Sequence, residues 1–89
     1  MKIKVRNMTS NAGNDVPNQF IITTPEGRYF QSYRSTIAFK PYHGKIQLDE
    51  DTWDYSNTTS KYRRMFLNEG IDETRAKIES KEYKLTNLN

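Results

Sequence analysis

The stretch Gln-Phe-Ile-Ile-Thr-Thr-Pro-Glu-Gly-Arg-Tyr-Phe-Gln-Ser-Tyr, residues 19–33, decides the fold class of this chain. Its first part, residues 19–24, and its last part, residues 28–33, are rich in the β-branched and aromatic side chains that strands prefer. Pro-Glu-Gly separates them at residues 25–27. Proline presets φ at the second position of a type I turn, and glycine supplies the left-handed residue of a bulged hairpin. The stretch therefore predicts a β-hairpin.

Further strand-like segments flank this hairpin. Residues 2–6 alternate basic and apolar side chains, which predicts a strand. Residues 36–39 and 45–48 form a second predicted strand pair. Residues 7–17 are rich in Asn, Ser and Gly and show no periodicity, so we expect a long loop there. Successive strands joined by short turns favour an antiparallel meander of four to five strands.

The pattern then changes from alternation to a helical period. Apolar residues spaced three and four apart predict a helix over about residues 58–68. Ser56 or Asn57 can cap its first turn, because both side chains accept hydrogen bonds from free backbone N–H groups. Gly70 suits the left-handed position that ends a helix.

A second, shorter helix and a last strand complete the predicted fold. Asp72 is the expected N-cap of a helix over about residues 73–80. Residues 83–88 alternate again and predict an edge strand. We therefore expect an α+β fold: an antiparallel meander of four to five strands followed by two short helices packed on one face. Residues 1–89 are expected to form a single domain.

Composition narrows the class of protein. The chain has 89 residues, of which 34% are hydrophobic and 12% aromatic, as expected of a small folded domain rather than a disordered one. It contains no cysteine, which excludes disulfide scaffolds, cysteine-ligated zinc and thiol catalysis. A small domain without disulfides favours a reducing compartment, so we expect a cytoplasmic protein. No apolar run approaches the ~20 residues of a membrane helix, so no membrane partner is expected.

Motifs for catalysis or metal binding are absent from the sequence. His43 is the only histidine, and it stands in a predicted turn. The acidic run at residues 49–54 lacks the ligand spacing and the glycine of an EF-hand. No phosphate-cradling glycine loop or nucleophile motif occurs either. We therefore predict a non-enzymatic protein with no cofactor and no metal site.

The most suggestive polar segment for nucleic-acid binding lies at the start of the first helix, within residues 53–64. Free N–H groups at a helix N-terminus attract phosphate, and cations in the first turns can hold a nucleic-acid backbone. The candidate residues are Thr58, Thr59, Lys61, Arg63 and Arg64. The alternative interpretation is that the hydroxyl groups cap the helix while the aromatic residues of the segment fill the core. The net charge of +3 is compatible with a polyanionic partner but does not require one.

A second basic and aromatic group falls on the predicted sheet. The group comprises Tyr29, Tyr33 and Tyr42 with Arg28, Arg34 and Lys40. Helices on one face leave the other face open, and tyrosine and arginine there suit contact with a protein or with single-stranded nucleic acid. The candidate partner-binding residues are Arg28, Tyr29, Tyr33 and Arg34. Alternatively, the tyrosines form cross-strand pairs that stiffen the sheet.

Several segments together resemble a known family. The most specific is Trp-Asp-Tyr-Ser-x-Thr-Thr-x-Lys-Tyr-Arg-x-x-Phe-Leu at residues 53–67. The others are residues 18–22, residues 29–33, residues 44–45 with 48–49, and residues 85–89. In these segments the chain resembles a family of small, uncharacterised bacteriophage and prophage proteins, a domain of unknown function. The resemblance implies a viral setting and supplies no active-site residues.

Three functional hypotheses follow. The first is a non-enzymatic bacteriophage accessory protein that binds and inhibits a host protein or complex in the host cytoplasm, as in counter-defence of the anti-CRISPR or anti-restriction type. It would use the open sheet face and the loop at residues 7–17. The second is a small nucleic-acid-binding protein that uses the basic start of the first helix. The third is a minor virion component that oligomerises through residues 83–88.

Overall fold

The computed structural model describes residues 2–89 as one six-stranded sheet with two helices. The elements are β1 (Lys4–Thr9), β2 (Asp15–Thr24), β3 (Gly27–Ser32), β4 (Ser35–Pro41), β5 (Gln47–Asp49), α1 (Asn57–Leu67), α2 (Ile71–Glu79) and β6 (Lys84–Thr86). The strands lie side by side in chain order, and all neighbours are antiparallel except β5 and β6. This confirms the predicted α+β fold, a meander followed by two helices.

The β2–β3 hairpin is confirmed, although its turn differs from the predicted one. The turn contains only residues 25–26, and Gly27 already pairs with Thr24. The Thr24 hydroxyl accepts hydrogen bonds from the backbone N–H groups of Glu26 and Gly27, both at 3.2 Å. Gly27 is required for another reason: its φ is +155°, and an added Cβ would meet the Lys40 carbonyl oxygen and lie 2.7 Å from the Pro41 Cα. The predicted bulge at Gly27 is therefore wrong.

The predicted loop over residues 7–17 is also wrong, because strands occupy most of it. β1 continues to Thr9 and β2 begins at Asp15, so the connection spans only residues 10–14. Asn7 pairs with Phe20, and its side-chain amide donates a hydrogen bond to the Val16 carbonyl at 2.9 Å. These polar residues have low strand propensity by themselves. Pairing with the long β2 strand places them in the sheet.

Both helices form, with different ends from those predicted. Ser56 caps α1, as expected, by accepting a hydrogen bond from the Thr59 N–H at 3.1 Å. Asn68, with φ of 56°, takes the left-handed position that we assigned to Gly70, since asparagine also tolerates this conformation. Gly70 instead precedes α2 as its N-cap, so the assignment of this cap to Asp72 is wrong.

The last strand, β6, lies at the edge of the sheet, as the alternation at residues 83–88 predicts. It is shorter than that segment and runs parallel to β5. After β6, the chain passes the end of β5. There the Leu88 N–H donates a hydrogen bond to the carboxylate of Asp49, the last residue of β5, at 2.8 Å. The edge position is thus correct, and the parallel direction was not predicted.

The helices divide the sheet into two faces. The Phe30 ring contacts the Phe66 ring of α1, with centroids 5.8 Å apart. We call the face that carries Phe30 the helix face and the opposite one the open face. The buried core comprises Met8, Ile21, Phe30, Ile37, Ala38, Leu48, Phe66, Leu67 and Tyr83. Most of the core therefore lies between the helix face and the two helices.

Candidate functional site

The start of α1 is built into the protein core. Thr59 is fully buried, and its hydroxyl forms a hydrogen bond with the Ser32 hydroxyl at 2.9 Å. Its backbone N–H is held by the Ser56 cap. Both polar groups of Thr59 that could meet a phosphate thus have partners inside the protein. This burial excludes Thr59 from direct contact with a nucleic acid in this structure.

Arg63 is likewise enclosed. Its side chain is fully buried, with the guanidinium carbon 5.3 Å from the centre of the Trp53 ring. Its Nη1 donates hydrogen bonds to the Trp53 carbonyl at 2.6 Å and to Asp54 Oδ1 at 3.4 Å. Burial lowers the pKa of Arg63, and the hydrogen bond and charge of Asp54 oppose this shift. Arg63 fastens the turn before α1 and is inaccessible to a ligand.

The other three candidates at the helix start remain exposed. Thr58, Lys61 and Arg64 all lie at the surface of α1. The Lys61 ammonium stands 5.4 Å from the centre of the Tyr62 ring. Because residues 58, 61 and 64 follow at steps of three, they do retain one helix face. The five predicted residues therefore reduce to three at the surface.

The open face presents an apolar row across four strands. Val5, Ile22, Tyr29 and Phe39 stand opposite one another in register. The Tyr29 and Phe39 rings are stacked, with centroids 4.2 Å apart and an angle of 17° between the planes. Val5 is 61% exposed, and Ile3, next to β1, is 58% exposed. The row therefore reaches the solvent-exposed edge of the sheet.

Charged side chains are missing from this part of the open face. The row on one side of the apolar row contains Asn7, Phe20 and Gln31, and the row on the other side contains Thr24, Gly27 and Pro41. Over β1 to β4 all three rows are uncharged, although 28% of the residues in the chain are charged. The central row continues through Gln47 of β5 to Lys84 of β6. An extended strand sends successive side chains to opposite faces, so the charges of β1 lie on the helix face.

The four predicted partner-binding residues do not form one patch. Arg28 precedes Tyr29 in β3 and therefore lies on the helix face, which corrects its expected position on the open face. Tyr33 and Arg34 form the turn between β3 and β4. Tyr33 is exposed, has φ of 55°, and donates its N–H to the Asn18 carbonyl at 2.7 Å. Tyr33 lies four residue steps after Tyr29, which is about 13 Å along an extended chain.

A cluster of cations lies on the helix face. The sequence grouped two of its members, Arg28 and Lys40, with Tyr42 on the sheet, but it did not join Arg6 to them. Arg6, Arg28 and Lys40 line a cavity of about 270 Å³ at the C-terminal end of α1. The remaining lining residues are Met8, Thr9, Ile21, Met65 and Phe66. Arg28 and Lys40 also line an adjoining cavity of about 320 Å³, together with Pro41, Tyr42 and Ile46. We call these two cavities together the basic groove.

Lys40 is fixed at the centre of the basic groove. Its Nζ donates a hydrogen bond to the Phe66 carbonyl at 2.8 Å and lies 5.1 Å from the centre of the Phe66 ring. Burial and the nearby Arg28 charge lower the pKa of Lys40, while the charge of Glu69 opposes this shift. The sequence contains one signal for this cluster: Lys2, Lys4 and Arg6 alternate with apolar residues, so their side chains share one face of the sheet.

The buried carboxylate of Glu69, between the two helices, bonds to α2 and to Tyr83, the residue before β6. Glu69 accepts hydrogen bonds from the Thr74 hydroxyl at 2.6 Å, from the Lys77 ammonium at 3.0 Å and from the Tyr83 hydroxyl. Burial alone would raise the pKa of Glu69, but these hydrogen bonds outweigh it and hold the pKa below its usual value. Burial and the Glu69 contact raise the pKa of Tyr83 to about 12. Every polar group here has a partner, which indicates a structural role.

Two carboxylates of the acidic run at residues 49–54, those of Asp49 and Asp54, form internal contacts. Asp49 accepts hydrogen bonds from Leu88 and from the backbone and hydroxyl of Thr52. Asp54 pairs with Arg63 and Arg75, both at 3.4 Å. Within residues 2–89, no group of three His, Cys, Asp or Glu side chains converges as a metal site. In the same part of the chain, no helix has the length and apolar character to cross a membrane.

Comparison with known proteins assigns the chain to a family without assigning an activity. No curated protein and no solved structure matches it. A family described as "Family of unknown function (DUF8033)" matches residues 3–84, which is nearly the whole chain. The resemblance noted in the sequence to a domain of unknown function agrees with this match. The chain belongs to the DUF8033 family.

Proposed function

We propose that this protein is a non-enzymatic binding protein that docks a protein partner on its open face. The observation that carries the proposal is the uncharged surface around Val5, Ile22, Tyr29 and Phe39. Binding there would bury the exposed side chains of Ile3 and Val5 and the rest of the half-buried Ile22 and Tyr29, whereas Phe39 is already buried beneath the surface. No charge on β1 to β4 would lose water in that contact. Interface cores are depleted in charged residues and enriched in aromatic ones, as this surface is.

The sheet holds this surface rigid. Tyr29 and Phe39 are stacked before any partner arrives, and their strands are fixed by backbone hydrogen bonding. Such preorganisation reduces the entropy lost on binding. Exposed apolar side chains that extend to Ile3 and Val5 are also a recognised mark of interaction surfaces.

The resemblance to bacteriophage and prophage proteins suggests a more specific version of this proposal, in which the partner is a host protein or complex in the bacterial cytoplasm. The protein would then be a bacteriophage accessory protein that inhibits its target, for example in counter-defence against CRISPR or restriction. Inhibition by occupancy needs a contact surface and no catalytic residue, which fits a protein of this size. This host-directed role is part of the proposal.

Affinity capture from a bacterial host lysate, followed by reconstitution with the purified partner, tests the proposal. Val5→Lys places a charge in the apolar row at an exposed edge position, where it should not disturb folding. We expect it to weaken partner binding at least tenfold, because the charge must be desolvated. Undiminished binding by folded Val5→Lys protein would refute the open face as the docking surface.

Leu85→Lys is the matched control. Leu85 is an exposed aliphatic residue on the other edge strand, and its register with Leu48 places it on the helix face. The substitution makes the same chemical change outside the open face, so partner binding should persist. The double variant Tyr33→Ala/Arg34→Glu tests whether the contact extends to the end of the β3–β4 hairpin.

A further inference from the structure

Three cations lie in one row across the helix face. Lys4, Thr23, Arg28 and Lys40 stand opposite one another on β1 to β4. Arg28 and Lys40 are direct neighbours on paired strands, an arrangement that disfavours folding because like charges repel. The ion pairs formed within residues 2–89 involve Arg63, Arg75 and Lys77, and none of the cations in this row. Water solvates the exposed Lys4 and Arg28, and the Phe66 carbonyl accepts a hydrogen bond from Lys40. A bound anion would lower the repulsion between these cations further.

The basic groove gives that anion a shaped site. Arg6 joins Arg28 and Lys40 above a floor that includes the buried side chains of Met8 and Phe66. The charge of Glu69 acts on Lys40, but that carboxylate is already held by Thr74, Lys77 and Tyr83. The groove therefore combines a surplus of positive charge with an apolar floor.

An aromatic ring stands at the far end of the basic groove. Tyr42 lines the second cavity beside Arg28 and Lys40, and it is 56% exposed. Its backbone is fixed by a hydrogen bond from its N–H to the Glu26 carbonyl at 3.0 Å. An exposed tyrosine ring beside cations is a surface on which a nucleobase can stack.

We propose that the basic groove binds single-stranded nucleic acid, with phosphates at Arg6, Arg28 and Lys40 and a base on Tyr42. The guanidinium groups of arginine match the geometry of phosphate oxygens, and they hold the backbone whatever the sequence. The row from β1 to β4 covers three interstrand spacings, about 14 Å, so it can contact more than one phosphate.

The chemistry of the groove favours this ligand over two others. A purely acidic peptide such as polyglutamate would use the cations but has no flat aromatic group for Tyr42. A duplex keeps its bases stacked inside and would offer only its backbone to the groove. A single strand uses both the positive charge and the ring. The three cations of the site lie on the helix face, so they can be substituted without changing the apolar row of the open face; Pro41 alone borders both surfaces.

Fluorescence anisotropy with a labelled oligonucleotide of about 16 nucleotides tests the proposal. Binding is measured between about 50 and 200 mM salt for the full chain and its variants. Arg6→Gln/Arg28→Gln should weaken binding and reduce the slope of log affinity against log salt by about 0.7 for each lost phosphate contact. Lys81→Gln/Lys84→Gln removes the same charge from exposed positions outside the groove and should leave the slope unchanged.

Tyr42→Ala separates stacking from charge. It should weaken binding about fivefold or more while the salt slope stays that of the wild-type protein. Four results would overturn the proposal: no binding at the lowest salt, equal losses in the groove and control variants, tighter binding of a duplex of the same sequence, or displacement of the oligonucleotide by polyglutamate of equal charge at equal concentration. Circular dichroism confirms that each variant is folded.

Discussion

Arg28 and Lys40 oppose each other directly on β3 and β4, two cations with no carboxylate between them. The backbone pairing of β3 with β4 fixes the two Cα positions opposite each other, so side-chain rotation cannot remove the pairing. A fold that needs only stability would place unlike charges at such a position. We infer that the pair is retained for binding at a cost in stability, a common compromise at functional sites.

Arg28→Gln should accordingly stabilise the protein. Removing one of two opposed like charges is expected to raise the free energy of unfolding by about 0.2–1 kcal/mol at low salt. The gain should shrink at about 1 M salt, where charges at the surface are screened. Urea unfolding at both salt concentrations measures it, with Arg34→Gln in the β3–β4 turn as the control. A loss of stability at low salt would contradict the repulsion.

The Ser32–Thr59 hydroxyl pair should behave as a buried structural contact. Thr59→Val leaves the Ser32 hydroxyl without its partner and is expected to cost about 1–3 kcal/mol. The double variant Ser32→Ala/Thr59→Val removes both hydroxyls, so it should cost less than the sum of the single changes. Chemical unfolding of all four proteins completes the cycle. Additive losses would show that the two hydroxyls are not coupled.

Glu69 should contribute to acid unfolding. Since folding lowers its pKa below the ordinary 4.5, its contribution to stability is complete above that value and is lost as the pH falls through the folded-state pKa. Glu69→Gln removes this titration, so its stability should decline less steeply below pH 4.5 than that of the wild-type protein. Urea unfolding over an acidic pH series measures the slope. Parallel declines would contradict the lowered pKa.

Gly27→Ala should be more damaging than Gly44→Ala. Both glycines have positive φ, so alanine is strained at either position. Only at Gly27 would the new Cβ also meet the Lys40 and Pro41 backbone, whereas at Gly44 it would enter open space. We expect the difference in unfolding free energy between the two variants to be at least about 1 kcal/mol. Equal losses would mean that β3 and β4 can separate without cost.

The local sequence was enough to predict those elements that depend only on residues near in the chain. The hairpin at residues 19–33 follows from two strand-like segments around one turn, and the start of α1 follows from its Ser56 cap. The strand over residues 4–9 could not be traced to its end, because Asn7 and Thr9 join the sheet only through pairing with β2. Asn68 competes with Gly70 for the left-handed position, and local sequence alone did not decide between them.

The surface was harder to predict than the fold. Alternation already implied that Arg28 and Tyr29 face opposite sides, and this rule would have corrected their grouping. The burial of Arg63 has no such signal, since arginine is almost never fully buried and only the Trp53 and Asp54 contacts explain it. The basic groove joins Arg6 to Lys40 through strand order, which no local pattern contains.

Site-specific photo-crosslinking is the most direct test of the proposed docking surface. The chain has no cysteine, so Val5→Cys and Leu85→Cys each provide one attachment point for a thiol-linked crosslinker. Both labelled proteins are mixed with the purified partner and irradiated. The account predicts covalent capture of the partner from position 5 on the open face and little or none from position 85 on the helix face. Capture from position 85 with none from position 5 would contradict it.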